Sequence, residues 1–327
     1  MIKSLREIAV EKSKEDKTPI SDYHANEKTI IFVGNRNVGK TTLINHFLDK
    51  NEATKKTLAL EYTFARRSGK SLKKDVCHIW ELGTLNSTLL ASTRTLTKSS
   101  KTTLVLMLDL SDLGNVWSVM ENLLNTLKST IQATHDQSSG QDALLKRIPN
   151  DHPDKEKFDP FPIPLVIVGG KYDLFQIFEP EKKRVVCRCL RFVAHRLCAT
   201  LAFYSSKDAS LVKRLRDLLS HHAFGTPPVK TISQDYSKPL MVTSGSDLFD
   251  SIEGVASAST WTLEKVKHLF TSHFTQESSK AQTLLEDPAK DPNFREPTID
   301  ALRRQKDEEL ERYCLEVQRR EQILLAK

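Results

Sequence analysis

The stretch IIFVGNRNVGKTTLINHFL, residues 30–48, decides the fold of this chain. It contains the pattern G-x-x-x-x-G-K-T, in which Gly34 and Gly39 bracket a loop between an apolar run and a helix-like pattern. In such a loop the backbone N–H groups converge on phosphate oxygens, and glycine permits the required conformation and the close approach of the ligand. Lys40 would reach the β- and γ-phosphates, and the hydroxyl of Thr41 would bind Mg²⁺. The stretch therefore predicts a phosphate-binding P-loop; the alternative is a strand–helix turn with a chance lysine.

The predicted nucleotide contacts extend from this loop to two later segments. GGKYD (169–173) and YSSK (204–207) resemble the base-reading N/T-K-x-D and S-A-K elements of Ras-like proteins. Gly170 stands where an asparagine would brace the loop, so we expect a preference for guanine with weakened affinity. The expected cofactor is GDP or GTP with Mg²⁺, and Thr41 is the expected metal ligand. The predicted contact residues are Gly34, Asn35, Asn37, Val38, Gly39, Lys40, Thr41, Thr42, Lys171, Asp173, Ser205, Ser206 and Lys207.

The residues that would complete GTP hydrolysis are missing from their expected places. Hydrolysis needs a γ-phosphate sensor and a group that orients the attacking water. If Glu81 takes the aspartate position of the Ras-type D-x-x-G element, Thr84 replaces the sensing glycine and Leu85 replaces the glutamine. Leucine cannot hydrogen-bond a water, so we predict no catalytic residue and hydrolysis that is absent or very slow. For the Mg²⁺-contacting threonine of switch I, the sequence does not choose between Thr57 and Thr63.

Strand-like and helix-like segments alternate through the central part of the chain. This alternation predicts an α/β fold with a mostly parallel sheet covered on both faces. With the loop, it predicts a Ras-like P-loop NTPase fold with N- and C-terminal helical extensions. The predicted strands are 29–34, 75–82, 102–111, 164–170 and 199–207, and the predicted helices are 41–50, 115–131, 180–197 and 209–224.

We divide the chain into four parts. Residues 1–28 are predicted to be an N-terminal amphipathic helix and linker, and residues 29–225 the Ras-like domain. Residues 226–275 are predicted to add a strand and a helix packed on or beside the core, and residues 276–327 a polar linker and a C-terminal helix. The Pro-rich insertion at 132–163 is predicted to be a surface loop, not a core element.

Composition and charge exclude several classes of protein. No apolar run approaches the roughly 20 residues that span a bilayer, and the charged start MIKSLREIAVEKSKED is unlike a signal peptide. We therefore expect a cytoplasmic protein without membrane insertion. The net charge of +7 comes from basic runs in the middle of the chain, such as RRSGKSLKK (66–74). Because no aromatic-interleaved or zinc-binding pattern accompanies these runs, we expect no direct binding to nucleic acid.

Several longer stretches together resemble the dynein light intermediate chain family. They are KTLALEYTFARR (56–67), IWELG (79–83), DPFPIPLVIVGGKYDLFQIFEPEKKRVVCRCLRFVAH (159–195) and SKPLMVTSGSD (237–247). SLREIAVEK (4–12) and the DHPD and DPFP elements of the insertion resemble the dynein 2, or ciliary, branch of that family. The resemblance extends from about residue 5 to 313, and its motifs are far more specific than the P-loop.

The resemblance implies a Ras-like domain that serves as a non-catalytic accessory subunit of the dynein 2 motor complex. The implied partners are the dynein 2 heavy chain and the other dynein 2 subunits, with association to microtubules through the complex. The implied locations are the cytoplasm, the axoneme and the ciliary base, where the complex supports retrograde intraflagellar transport and cilium assembly. The segments expected to dock on the heavy chain are 2–12, 260–274 and 298–325.

Two other functions are left open by the residues alone. The first is a genuine GTP switch with slow intrinsic hydrolysis, which rests on Lys40, Thr41, Asp173 and Lys207. The second is a P-loop kinase or a nucleic-acid motor, for which we find neither a lid nor helicase motifs.

Overall fold

The computed structural model describes residues 27–68, 74–83, 101–132, 152–228, 231–252, 262–275 and 295–325. Within these ranges a sheet of seven strands carries helices on both faces. The strands are β1 (Glu27–Gly34), β2 (Leu60–Ser68), β3 (Lys74–Leu82), β4 (Thr102–Asp109), β5 (Leu165–Gly170), β6 (Thr200–Phe203) and β7 (Met241–Val242). The helices are α1 (Lys40–Leu48), α2 (Leu113–Gln132), α3 (Tyr172–Phe175), α4 (Pro180–Arg196), α5 (Ala209–Phe224), α6 (Leu263–His273) and α7 (Pro297–Leu325). The α/β class predicted from the sequence is confirmed.

The order of the strands places the loop after β1 near the centre of the sheet. The order is β2-β3-β1-β4-β5-β6-β7, in which β3, β1, β4, β5 and β6 run parallel and only the edge strands are antiparallel to their neighbours. Parallel neighbours require crossover connections, and these keep all the carboxyl ends at one edge of the sheet. The segments that follow β1, β5 and β6 therefore meet at that edge.

Strand β1 is buried on both faces, which explains its continuous apolar sequence. Successive side chains of a strand point to opposite faces. Ile31 and Val33 accordingly pack in one cluster with α2, α4 and α6, whereas Ile30 and Phe32 pack in another with α1 and α5. All four side chains are at most 2% exposed. The burial on both sides fixes the end of β1, and hence the start of the loop.

The chain beyond Gly225 contributes to the main core. The short strand β7 pairs with β6, and its residue Val242 is buried in the cluster that contains α2 and α4. From α6, Phe270 is fully buried, and its ring centroid lies 5.5 Å from that of Trp117 on α2. The α2–α4 face of the sheet is therefore completed by residues outside the predicted Ras-like domain.

The end of the Pro-rich insertion differs from the surface loop that we predicted. Residues 133–151 lie outside the described residues, but Phe161 and Ile163 are only 2% and 5% exposed. The backbone N–H of Phe161 donates to the carbonyl of Leu197 at 3.1 Å. The chain that leads into β5 is therefore partly buried in the core, which its loop-like composition did not indicate.

Residues 280–327 form a separate compact unit, within which α7 is a single helix of 29 residues. Five large apolar side chains of α7 are between 56% and 64% exposed: Ile299, Leu302, Leu310, Tyr313 and Leu315. The predicted N-terminal helix at 2–12 lies outside the described residues. Among the helices that the structure describes, none is both long and apolar enough to cross a membrane.

Candidate nucleotide-binding site

The loop between β1 and α1 has the backbone that the glycine pattern predicted. A Cβ at Gly34 would overlap the carbonyl oxygen of Met107 on β4, so a side chain cannot be accommodated there. Gly39 precedes α1 with φ 97°, a left-handed conformation that glycine adopts readily, and a Cβ there would meet open space. Asn35 and Asn37 are exposed, while Val38 is buried. The loop therefore opens towards solvent in front of the N-terminus of α1, where an anion would be favoured.

Lys40 is caged by the loop's own carbonyl groups. The residue is only 5% exposed. Its Nζ donates to the carbonyl oxygens of Gly34, at 3.0 Å, and of Asn35, at 2.8 Å. Burial lowers the pKa of Lys40 to about 8, although the nearby Glu81 carboxylate favours the charged form. A phosphate group would be a stronger partner for this ammonium than two neutral carbonyls.

Thr41 and Glu81 are brought together at the predicted metal position. The hydroxyl of Thr41 donates to Oε1 of Glu81 at 2.8 Å, and Glu81 is 5% exposed near the end of β3. Burial raises the pKa of Glu81, and the hydrogen bond from Thr41 opposes this rise. A hydroxyl beside a carboxylate is a pair of hard oxygen ligands of the kind that Mg²⁺ prefers. Glu81 thus lies beside the predicted Mg²⁺ ligand Thr41, as expected for a residue at the aspartate position of D-x-x-G.

The two candidate threonines of switch I, Thr57 and Thr63, differ in their position relative to the predicted metal position. Thr63 lies in the middle of β2, opposite Ile79 of β3. Thr57 instead lies against the end of β3, where its carbonyl oxygen would be 2.3 Å from a Cβ at Gly83, and its Oγ1 donates to Glu61 Oε2 at 3.2 Å. Thr57 is therefore the threonine near the predicted metal position. Residues 84 and 85, on which the argument about hydrolysis depends, lie outside the described residues.

The predicted base-reading residues form a connected polar cluster after β5 and β6. Ser205 Oγ donates to Asp173 Oδ1 at 2.8 Å, and Lys207 Nζ lies 2.7 Å from Asp173 Oδ2. The hydrogen bonds from Lys207 and Ser205 hold the pKa of Asp173 below its usual range. The ionised carboxylate can accept the two N–H groups of guanine once Lys207, which is 75% exposed, moves aside. Ser206 is exposed, and Thr42 is half-buried on the first turn of α1.

Gly170 links the base-reading segment to the P-loop. A Cβ at Gly170 would lie 3.0 Å from the carbonyl oxygen of Val38, so the position expected to hold a bracing asparagine does face the loop. The next residue, Lys171, makes an ion pair with Asp109 at 2.5 Å. Asp109 was missed by the sequence argument, although its place at the carboxyl end of β4 is a signal that could have found it. Nucleotide binding by the assembled residues remains a prediction.

Comparison with known proteins places the chain in a family. The model of the dynein light intermediate chain family matches residues 13–139. Relatives named cytoplasmic dynein 2 light intermediate chain 1 are similar over most of their length: the Mus musculus protein is 40% identical, covering 95% of this chain and 95% of the relative. The Homo sapiens protein is 41% identical, covering 88% of this chain and 87% of the relative.

The fold of the chain also matches a solved structure. The crystal structure of the conserved domain of a dynein light intermediate chain superposes with a TM-score of 0.55 at 16% identity, covering 74% of this chain and 89% of that one. At this identity the match concerns the fold alone, and it confirms the predicted Ras-like P-loop fold. Because the identity to the curated relatives extends over most of both sequences, the chain belongs to the dynein light intermediate chain family.

Proposed function

We propose that this protein is a non-catalytic accessory subunit of the dynein 2 motor complex. It binds the dynein 2 heavy chain, associates with microtubules through the complex, and supports retrograde intraflagellar transport and cilium assembly. Its locations are the cytoplasm, the axoneme and the ciliary base. The observation that carries the proposal is the similarity, along most of the chain, to relatives named as light intermediate chains of cytoplasmic dynein 2.

The nucleotide site has a structural role in this proposal. A guanine nucleotide with Mg²⁺ fits the groups at this edge of the sheet. They are the open space at Gly39, the buried ammonium of Lys40, the hydroxyl of Thr41 and the ionised carboxylate of Asp173. The bound nucleotide would supply phosphate charge to the buried Lys40 and so stabilise the folded state. A ligand in thousandfold excess over its Kd adds about 4 kcal/mol to the free energy of unfolding. No hydrolysis is required for this role.

The role as a subunit is tested by purification from ciliated cells. A tagged copy of the full chain, expressed at the level of the endogenous protein, is recovered under native conditions and the dynein 2 heavy chain is quantified. We expect the heavy chain in near-stoichiometric amount, and none with a tagged, unrelated Ras-like protein as the control. Recovery of the soluble, folded chain without any dynein heavy chain would contradict the proposal.

A second candidate function, a GTP switch, is favoured by one observation. Base-reading residues and P-loop residues are assembled at the same sheet edge, with Ser205 and Lys207 both bonded to Asp173. The decisive measurement is GTP hydrolysis by purified wild-type protein and by Lys40→Ala. Equal rates in the two proteins would remove the switch, whereas a large loss in Lys40→Ala would support it.

The nucleotide content of the purified protein distinguishes a structural site from a relic. The protein is denatured and the released small molecules are separated by chromatography. About one equivalent of GDP or GTP per chain is expected for a structural site. Folded protein that releases no nucleotide would mean that the loop is retained without its ligand.

A further inference from the structure

A cluster of two histidines and one aspartate lies outside the nucleotide site. His152 and Asp154 lie in the described part of the Pro-rich insertion, and His195 lies in the last turn of α4. One ligand atom from each residue lies within 4.8 Å of the other two. Asp154 and His195 are 6% and 4% exposed, whereas His152 is half-buried and leaves the cluster accessible from one side. Nothing in the P-loop chemistry uses these side chains.

The orientation of His152 is fixed by a backbone carbonyl. Its Nε2 lies 3.1 Å from the carbonyl oxygen of Asp247. Because a carbonyl only accepts, Nε2 carries the proton and Nδ1 carries the lone pair that could bind a metal. Histidine ligands of metals nearly always donate their second ring N–H to a carbonyl, a carboxylate or a water. This second-sphere hydrogen bond is already in place for His152.

The carboxylate of Asp154 is also held in position. Its Oδ2 accepts the backbone N–H of Phe249 at 3.0 Å and, since a carboxylate only accepts, also the Nε2–H of His195 at 3.1 Å. Two ligands of one tetrahedral zinc ion, with bonds of about 2.0–2.1 Å, lie about 3.3 Å apart. The spacing of the Asp154 and His195 atoms thus matches a shared metal that replaces the proton on Nε2, with His195 then carrying its proton on Nδ1.

The surrounding charges leave the carboxylate of Asp154 available for a cation. The neighbouring Asp247 is already neutralised by Arg191, which donates to its two oxygens at 2.8 and 2.6 Å. Lys157 lies 4.0 Å from Asp154, but its side chain is 43% exposed and can turn away. The Nδ1 of His152 accepts the N–H of Asp154 at 3.2 Å, a single neutral hydrogen bond that a metal–nitrogen bond would replace.

We propose that His152, Asp154 and His195 form a zinc-binding site that holds the described end of the insertion against α4. Two imidazoles and one carboxylate suit Zn²⁺, whereas Ca²⁺ and Mg²⁺ prefer oxygen ligands throughout. A water completes the tetrahedron on the open side of His152. The rings of Phe158 and Phe249, whose centroids lie 4.9 and 4.6 Å from that of His195, exclude water from the other sides.

The test is a titration of the metal-depleted, nucleotide-free full chain with CoCl₂, followed by ZnCl₂. Tetrahedral cobalt absorbs strongly in the visible, whereas six-coordinate cobalt on the oxygen ligands of the P-loop absorbs weakly, so the two sites are distinguished. We expect visible bands that saturate at one equivalent and disappear when zinc is added. Zinc should also raise the midpoint of thermal unfolding.

Two variants make the experiment specific. His152→Gln removes the imidazole, while its amide can still donate to the Asp247 carbonyl; we expect it to remain folded and to bind cobalt more than tenfold more weakly. His268→Gln replaces an exposed histidine of α6 and should behave as wild type. Absence of the bands and of the zinc-dependent shift in the wild type would overturn the proposal. An equal response in His152→Gln and wild type would overturn it too, because the cation would then bind elsewhere.

Discussion

The buried ammonium of Lys40 makes the stability of the nucleotide-free protein depend on pH in a defined direction. Burial lowers the pKa of Lys40 from 10.5 to about 8 in the folded state. Between these values the unfolded chain holds a proton that the folded protein has released. The free energy of unfolding therefore rises from about pH 8 to pH 10.5, and below pH 8 the full cost of the buried charge is present.

The size of the effect follows from the two pKa values. They differ by 10.5 − 8 = 2.5. One unit corresponds to about 1.4 kcal/mol, so the contribution of Lys40 amounts to about 3 kcal/mol. Because the residue is only 5% exposed, little of this is screened by solvent.

The assay compares urea unfolding of wild type and Lys40→Met at about pH 7.5, 9 and 10.5, without nucleotide. Subtracting the two curves cancels the titration of other groups, such as the buried thiols of Cys77 and Cys187. We expect wild type to gain about 3 kcal/mol relative to Lys40→Met over this range. Lys213→Met, which removes an exposed lysine of α5, is the matched control and should show no such gain.

Parallel pH profiles for wild type and Lys40→Met would refute the reasoning. They would mean that Lys40 keeps its ordinary pKa, and so that the loop does not enclose its ammonium in solution. Saturating GDP and Mg²⁺ provide a further check. The phosphate charge should keep Lys40 of the wild type protonated over this pH range. The stability of the wild type should then no longer rise relative to that of Lys40→Met.

Three further predictions concern single positions. In Gly170→Asn the new side-chain amide can donate a hydrogen bond to the Val38 carbonyl after a shift of the loop. The variant should therefore bind labelled GDP about two- to tenfold more tightly. Unchanged or weaker binding would contradict this. Arg191→Met leaves the buried carboxylate of Asp247 unpaired and should lower the free energy of urea unfolding by about 3–5 kcal/mol. Gly34→Ala introduces an overlap with β4, so GDP binding and the thermal midpoint should both fall; wild-type values would refute the required close approach.

Most strands and helices could be predicted because their signals are local, but the edge strand β2 and the short helix α3 were not predicted. Continuous apolar runs mark β1, β4 and β5, and the spacing of apolar residues marks α2 and α5. The requirement for Gly39 is local too, because it comes from a left-handed φ, whereas the requirement for Gly34 comes from the close approach of Met107 on β4. The family resemblance likewise needed only contiguous motifs.

The choice between Thr57 and Thr63 needed the tertiary structure. It depends on the register of β2 against β3, which puts Thr63 opposite Ile79, and a shift of register cannot be read from either strand alone. The pairing of Lys171 with Asp109 likewise joins residues 62 positions apart. The sequence named the predicted nucleotide contacts, but their convergence follows from the parallel order of the strands.

The Pro-rich insertion also shows which features could be predicted from the sequence and which depend on tertiary packing. Its composition correctly marks an interruption between α2 and β5, but composition carries no information about what packs against it. Only the folded chain brings Asp154 to His195 and Arg191 to Asp247, across 41 and 56 residues of sequence. The sequence by itself determined the elements, the P-loop and the family, because these depend on neighbours along the chain. The tertiary structure decided which polar groups meet, because strand order and crossovers set the distances between remote segments.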